Sequence, residues 1–441
     1  MEMPRVVKKK EKAEEPEKKG AVGASAPKPS SSPEEAAKYR ASVQANIAKP
    51  HDQIAIISLI DDMVSDAHHS RASDIHIDPA EKKVSIRFRV DGVLHDIYEF
   101  PKEIQSEVIT RIKVLSGLRT DEHQAAQDGR FRVKVNSQNV DVRVSIAPTY
   151  YGENGVLRLL SEQGEAYTLE AMGFRGPDLE RVHRNIKKPY GMILATGPTG
   201  SGKTTTLYTI LKMLNTKEVS IITIEDPVEY AIDGIEQIQV NTRTGLTFAD
   251  GLRSVLRQDP NIIMVGEIRD QEAAGIAVNA ALTGHLLLST IHTNDAPTTL
   301  PRLLDMGIEP FLIASTVNIA IGQRLVRKIC DNCKAQKDLT PEEEKSLERV
   351  IPPKLVGAKK VFYYGKGCDR CDKSGYKGRI GIFETLEVDD EVRSALLRNA
   401  DSSEIKRIAM KNGMTTMTED GFQKALDGLT TIEEILRVTH E

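Results

Sequence analysis

The run MILATGPTGSGKTTTL, residues 192–207, decides how the rest of the chain is read. Met192, Ile193, Leu194 and Ala195 are uniformly apolar, which predicts a strand buried in a parallel sheet. The chain then breaks into Gly197-Pro198-Thr199-Gly200-Ser201-Gly202-Lys203-Thr204, a complete G-x-x-x-x-G-K-[ST] pattern, with Thr205 completing the candidate nucleotide-binding stretch. Its glycines let successive backbone N–H groups turn inward around phosphate oxygens. A helix starting near Gly202 would direct its positive end at the same anion. Lys203 would reach the β- and γ-phosphates, and the Thr204 hydroxyl would bind Mg²⁺. A merely glycine-rich turn requires neither the strand before the loop nor the helix after it. The pattern points to a nucleoside triphosphate such as ATP.

Downstream, apolar strands at Met192–Ala195, Ser220–Ile224, Ile262–Val265 and His285–Thr290 alternate with helical patterns. The helices fall near Gly202–Leu214, Phe248–Arg257, Gln271–Ala281 and Asp295–Asp305. This alternation predicts a doubly wound α/β core on a parallel sheet, whose ligands bind beyond the carboxyl ends of the strands. Polar clusters fall there. Glu225-Asp226-Pro227-Val228-Glu229 follows one strand and Gly266-Glu267-Ile268-Arg269-Asp270 another. Triphosphate hydrolysis needs carboxylates to hold Mg²⁺ and to position the attacking water. Asp226, Glu229 and Glu267 are candidates, whereas Asp270 suits a helix cap. Arg253 and Arg257, four apart on a helix capped by Thr247, either offset charge at a γ-phosphate or form a solvated stripe. His285 and His292 flank a strand and either contact phosphate or cap the next helix.

Upstream, residues 1–50 are rich in Lys, Glu, Ala, Pro and Ser and read as a disordered tail. From there to residue 161, helical spacing from Ile56 to Ala67 and from Pro101 to Leu115 interleaves with alternating segments. Asp91-Gly92 marks a hairpin turn. This predicts an α+β domain (51–161), with Arg87, Arg89, Arg143 and Arg158 facing away from the core. A linker and first helix (162–188) and the core (189–328) follow. Cys330-x-x-Cys333 and Cys368-x-x-Cys371 use all four cysteines and predict a tetrahedral structural Zn²⁺ site in a module spanning 329–388. Thr340-Pro341-Glu342-Glu343 predicts a helix between the pairs, and 389–441 reads as short helices. The 441 residues carry a net charge of only −4, so no basic field marks direct nucleic-acid binding. No apolar run is long enough to span a bilayer, and no signal peptide is expected.

Together these stretches resemble the secretion-superfamily ATPases, and within them the type IV pilus assembly and type II secretion motors, from about Ile54 to Glu441. The carriers are ASDIHIDP (72–79), RFRVDG (87–92), QDGR (127–130), the phosphate loop and IEDPVEY (224–230). To these are added GLTFADGLRSVLRQDPNIIMVGEIRD (245–270), TGHLLLSTIHTNDA (283–296), QRLVRKIC (323–330) and the tetracysteine pairs. The resemblance implies a RecA-like core preceded by a PAS-like α+β domain, and a homo-hexamer with ATP held between them. It implies Glu229 and Glu267 as catalytic acids with Lys203, and His285 and His292 as a His box. It also implies that Arg143, Arg158, Arg253 and Arg257 close on the triphosphate about a hinge near Ser161–Gly164. The function implied is powering type IV pilus or type II pseudopilus assembly from the cytoplasmic side of the inner membrane. The partners implied are a membrane platform protein and a cytoplasmic adaptor. A nucleic-acid-translocating or conjugation-type ATPase on the same core is the alternative.

Overall fold

A computed structural model describes residues 33–136, 138–161, 168–337 and 361–439. Of the expected tail, residues 1–32 lie outside the described residues, and the remainder corrects the expectation. Pro33–Ile47 forms helix α1, packed on α2 (Ile56–His69). Ala36, Val43 and Ile47 recur at helical spacing, and Val43 is fully buried in the first core. Arg40 Nε reaches Asp66 Oδ2 at 3.2 Å, and the Tyr39 ring stacks on His69. Few apolar residues suffice here because a ready-made face receives them, a circumstance that segment composition does not reveal. The α+β unit therefore begins at residue 33, not 51.

Strands β1 (Ala72–Pro79), β2 (Lys83–Val90) and β3 (Val93–Pro101), helix α3 (Gln105–Leu115), and β4 (Gln127–Val135), β5 (Gln138–Thr149) and β6 (Gly152–Ser161) complete it. They form one antiparallel sheet in the order β3-β2-β1-β6-β5-β4. The β2–β3 turn is Asp91-Gly92, both with positive φ (49° and 87°), as that dipeptide predicts. Alternation along each strand sends Ile75, Ile77, Ile86, Phe88, Val142 and Leu157 under α2 and α3. The opposite face carries Arg87, Arg89, Arg143 and Arg158, and Arg143 and Arg158 lie directly opposite each other on β5 and β6.

Next come α4 (Leu169–Met172), α5 (Gly176–Asn185), β7 (Gly191–Thr196), α6 (Lys203–Leu214), β8 (Ile221–Glu225), β9 (Glu236–Gln239) and α7 (Phe248–Val255). They are followed by β10 (Ile262–Val265), α8 (Gln271–Leu282), β11 (Leu286–Ile291), α9 (Ala296–Asp305), α10 (Pro310–Thr316) and β12 (Val317–Ile329). Beyond them lie β13 (Lys334–Lys337), β14 (Phe362–Gly365) and β15 (Tyr376–Glu387). The second sheet runs β15-β12-β7-β11-β10-β8-β9, parallel throughout except for β15 at its edge. Along β7, Met192 and Leu194 pack into one layer while Ile193 and Ala195 pack into the other, so helices cover both faces. Strand β15 corrects the expected cysteine module of 329–388, since 376–387 belongs to the core sheet. The helix expected at Thr340–Glu343 and the hinge residues beyond Ser161 lie outside the described residues.

Helices α11 (Asp390–Leu397), α12 (Ser402–Lys411), α13 (Met417–Leu426) and α14 (Ile432–Thr439) close the chain. Helix α14 is anchored to β12 by Glu434, whose carboxylate accepts from Arg327 (Nη2 at 2.7 Å, backbone N at 3.0 Å) and from Arg437. Burial pushes the Glu434 carboxyl up, but the hydrogen bonds from Arg437 and Arg327 outweigh it and hold the pKa at about 2. A carboxyl depressed on folding stabilises above its unfolded pKa, and that contribution is lost as pH falls through the folded value. The full shift is worth about 3 kcal/mol, and screening of the half-solvated arginines brings it to about 1–2 kcal/mol. Glu434→Gln should therefore lower denaturant stability by that amount at pH 7. The gap from the parent should close between about pH 4.5 and pH 2, as followed by urea titrations across that range.

Candidate active site

The phosphate loop leaves β7 and enters α6 with Gly197, Gly200 and Gly202 all at positive φ (144°, 78° and 88°). A Cβ on Gly197 would stand 2.5 Å from the Gln323 carbonyl oxygen and 2.7 Å from Ser201 Oγ, so the tight approach requires glycine there. Ser201 Oγ is buried and has no hydrogen-bond partner among the described residues, which suits a donor held in reserve for a phosphate oxygen. Lys203 Nζ is folded back onto its own loop, donating to Gly197 O (2.9 Å) and Pro198 O (3.1 Å). Burial pushes its ammonium pKa down. The nearby Glu267 carboxylate opposes that shift and Arg324 adds to it. A phosphate would replace two carbonyls as the partner of this cation. Pro198 and Thr199 form the exposed crown, and Thr204 and Thr205 lie on the first turn of α6.

At the carboxyl end of β10, Glu267 Oε2 meets His292 Nε2 at 3.1 Å, and its other oxygen pairs with Arg269. His292 comes from the end of β11, so two adjacent parallel strands converge on one acid–imidazole pair. Asp226 stands exposed after β8. Glu229 is held from the other domain, with Arg143 Nη1 3.1 Å from its carboxylate and Arg143 Nη2 donating to Val228 O at 2.6 Å. Asp270 caps α8 through its bond to Ala273 N, at 2.8 Å.

The remaining candidates lie elsewhere. His285 precedes β11 at the amino edge of the sheet, where its Nδ1 lies 2.9 Å from Ala280 O and its carbonyl accepts from Gly191. Parallel strands put the loops that begin and end them on opposite edges, so within this chain His285 and His292 are one strand apart. Arg158, 57% exposed at its side chain, pairs with Asp74 at 2.9 Å. Arg253 pairs with Asp250 and Glu272. Arg257 lies past the end of α7, so the two do not share a continuous helical face as expected, and Arg257 donates to Arg253 O.

Sequence reasoning missed Glu225. It is 2% exposed and accepts from Tyr208 OH, from Thr223 Oγ1 (2.5 Å) and from Gln237 Nε2 (3.1 Å). Tyr208 OH also accepts from Glu229 N at 3.3 Å, so this buried node positions the backbone that carries Glu229. The available signal was a strand-end acid inside IEDPVEY itself. One of its partners is a tyrosine in the second turn of α6.

The four cysteine sulfurs lie within 4.8 Å of one another, with Cys330–Cys368 at 3.9 Å, Cys333–Cys371 at 3.8 Å and Cys368–Cys371 at 3.6 Å. A tetrahedral ion with metal–sulfur bonds of about 2.3 Å has edges of about 3.8 Å, so the cluster fits a thiolate-bound metal. Glycine is required beside it, since a Cβ on Gly365 would stand 2.0 Å from Gly375 O.

A sequence profile described as type II/IV secretion system protein matches residues 49–437. The chain belongs to that family. The type IV pilus assembly ATPase PilB of Thermus thermophilus is 47% identical over 390 residues, covering 88% of this chain and 44% of that protein. Type II secretion system protein E of Xanthomonas campestris is 47% identical over 386 residues, covering 88% of this chain and 68% of that one. The chain thus spans about half of the first relative and about two thirds of the second. Two solved structures share the fold. They are the Legionella pneumophila ATPase DotB (TM-score 0.64, 23% identity, 86% of this chain and 95% of that) and the pilus retraction motor PilT with bound ADP (TM-score 0.59, 24% identity, 87% and 97%).

Tyr208→Phe should leave Glu225 and the Glu229 amide each short of a partner. We expect a loss of about 1–3 kcal/mol in chemical denaturation. Any ATPase turnover should fall more than nucleotide affinity, as a displaced Glu229 would require.

Proposed function

We propose that this protein is an ATP-hydrolysing motor that powers assembly of a type IV pilus or a type II secretion pseudopilus. The observation that carries this reading is the complete phosphate loop, with Gly197, Gly200 and Gly202 at positive φ and the Lys203 ammonium folded onto it. Names and identities of the relatives support it. The phosphate loop binds the triphosphate, with Lys203 exchanging its two carbonyl partners for phosphate oxygens. Mg²⁺, held by the Thr204 hydroxyl and approached by Asp226 and Glu267, would neutralise charge on the β- and γ-phosphates. Glu267, its carboxylate oriented by His292 and Arg269, accepts the proton of the attacking water. Glu229 is the second acid.

Arg143 pairs with Glu229 in this resting arrangement, and in the reading proposed here it turns to the γ-phosphate when the domains close. Arg158 beside it on the sheet, and Arg253 and Arg257, supply further positive charge, from this chain or from a neighbouring one. In this reading the chain works as a homo-hexamer, as the resemblance of its motifs implies. The α+β unit is read as PAS-like and mobile relative to the core. Among the described residues no helix is long and apolar enough to cross a membrane. A cytoplasmic position against the inner membrane, through a platform protein and a cytoplasmic adaptor, accords with this reading. The tetracysteine site is read as structural Zn²⁺, since four thiolates leave no open position for water.

Purified protein should hydrolyse ATP, and Lys203→Ala and Glu267→Gln should each cut turnover by about 10²-fold or more in a phosphate-release assay. Turnover indifferent to both substitutions would contradict the motor reading. Metal analysis should find about one zinc per chain, and Cys371→Ser should lose it together with part of the melting temperature.

A further inference from the structure

Strand β12 places two adjacent side chains against the two walls of the candidate nucleotide site. Gln323 is 1% exposed, and both ends of its amide are used. Its Nε2 donates to Ser201 O at 2.7 Å, inside the phosphate loop, and its Oε1 accepts from Thr206 Oγ1 at 2.8 Å, on α6. Arg324 Nη2 donates to Asn294 O at 2.8 Å, in the loop that carries His292, and its Nη1 donates to the Gln323 carbonyl at 3.2 Å.

The bond to Ser201 O has a specific consequence. A trans peptide is planar, so its C=O and N–H point in opposite directions. Drawing the Ser201 carbonyl toward Gln323 therefore aims the Gly202 N–H away from β12. Gly202 has positive φ and no side chain, so nothing in its own residue fixes that peptide plane. In a cradle whose affinity depends on several N–H groups converging on one anion, a single peptide free to flip removes a donor and replaces it with a repelling carbonyl.

We propose that Gln323 is the positioning residue that fixes the Ser201–Gly202 peptide for phosphate binding, and that Arg324 holds the His292 loop in register with it. This rests on the ATP-binding reading above. An N–H contact made equally to bound substrate and to the transition state changes KM and leaves kcat nearly alone.

The test compares three variants of the full chain by steady-state ATPase with MgATP and by melting temperature. Gln323→Leu removes both bonds, Gln323→Glu removes the donor to Ser201 O while keeping the acceptor for Thr206, and Thr206→Val removes only the second bond. KM should rise about tenfold in both Gln323 variants with kcat within about threefold of the parent, and by less than about twofold in Thr206→Val. If KM is unmoved in folded Gln323→Glu, or if KM simply tracks lost melting temperature across the three, the proposal is overturned. Should Gln323→Leu fail to fold, Gln323→Glu alone carries the decision. A parent protein that neither binds nor turns over MgATP would instead overturn the underlying ATP reading.

Discussion

The structure depends on a row of peptide planes. Between Gly197 and Lys203 the chain must present N–H groups to one anion while disposing of the carbonyls behind them, and only a glycine-rich turn between a buried strand and a helix allows this. Strand β7 is fixed by its position inside the parallel sheet, with ladders to β11 and β12 on either side. Strand β11 delivers His292 and β12 delivers Gln323 and Arg324. Thr196 ties to Thr293 across the same gap, with Thr293 N donating to Thr196 Oγ1 at 3.0 Å. The same β12 runs on to Cys330, so one extended segment joins the nucleotide site to the cysteine cluster.

Charge explains the resting arrangement of the acids. Glu229 is half solvated and paired with Arg143, and Glu267 is paired with His292 and Arg269. Each acid and Lys203 thus has a partner, which in the proposed motor triphosphate and metal displace. Arg269 and His292 are well exposed while the Glu267 side chain is 12% exposed, so the acid needs a replacement cation whenever these partners leave. A second contact across the same boundary, Asp91 Oδ2 to Gly378 N at 2.8 Å, joins the β2–β3 turn to the start of β15. Among the described residues, the hydrogen bonds and ion pairs named between the α+β unit and the core gather at these two points, around Arg143 and around Asp91.

Much of this was legible from the sequence because it is written in local code. The phosphate loop, the Asp91-Gly92 turn, the Thr247 and Asp270 caps and the alternation of β1 and β2 each depend on residues within a few positions of one another. What was missed depends on distant partners. Helix α1 looks like solvated tail until the α2 surface receives Val43. Strand β15 looks like part of the cysteine module until β12 offers it an edge. His285 and His292 sit in one motif, yet a strand's length separates them because a parallel strand sends its two ends to opposite edges of the sheet. Glu225 becomes a buried node through Tyr208, seventeen positions upstream, and Gln237, twelve positions downstream.

In the proposed motor, triphosphate draws the α+β unit onto the core by exchanging Arg143's partner from Glu229 to phosphate. Spin labels at Tyr150 and Leu282, both exposed and on different domains, test this when labelled chains are diluted among unlabelled ones. The distance distribution should shift by several ångströms on adding Mg²⁺ with a non-hydrolysable ATP analogue, relative to nucleotide-free protein, and Arg143→Ala should suppress the shift. An identical distribution without nucleotide, with ADP and with the analogue would show that triphosphate does not move the α+β unit.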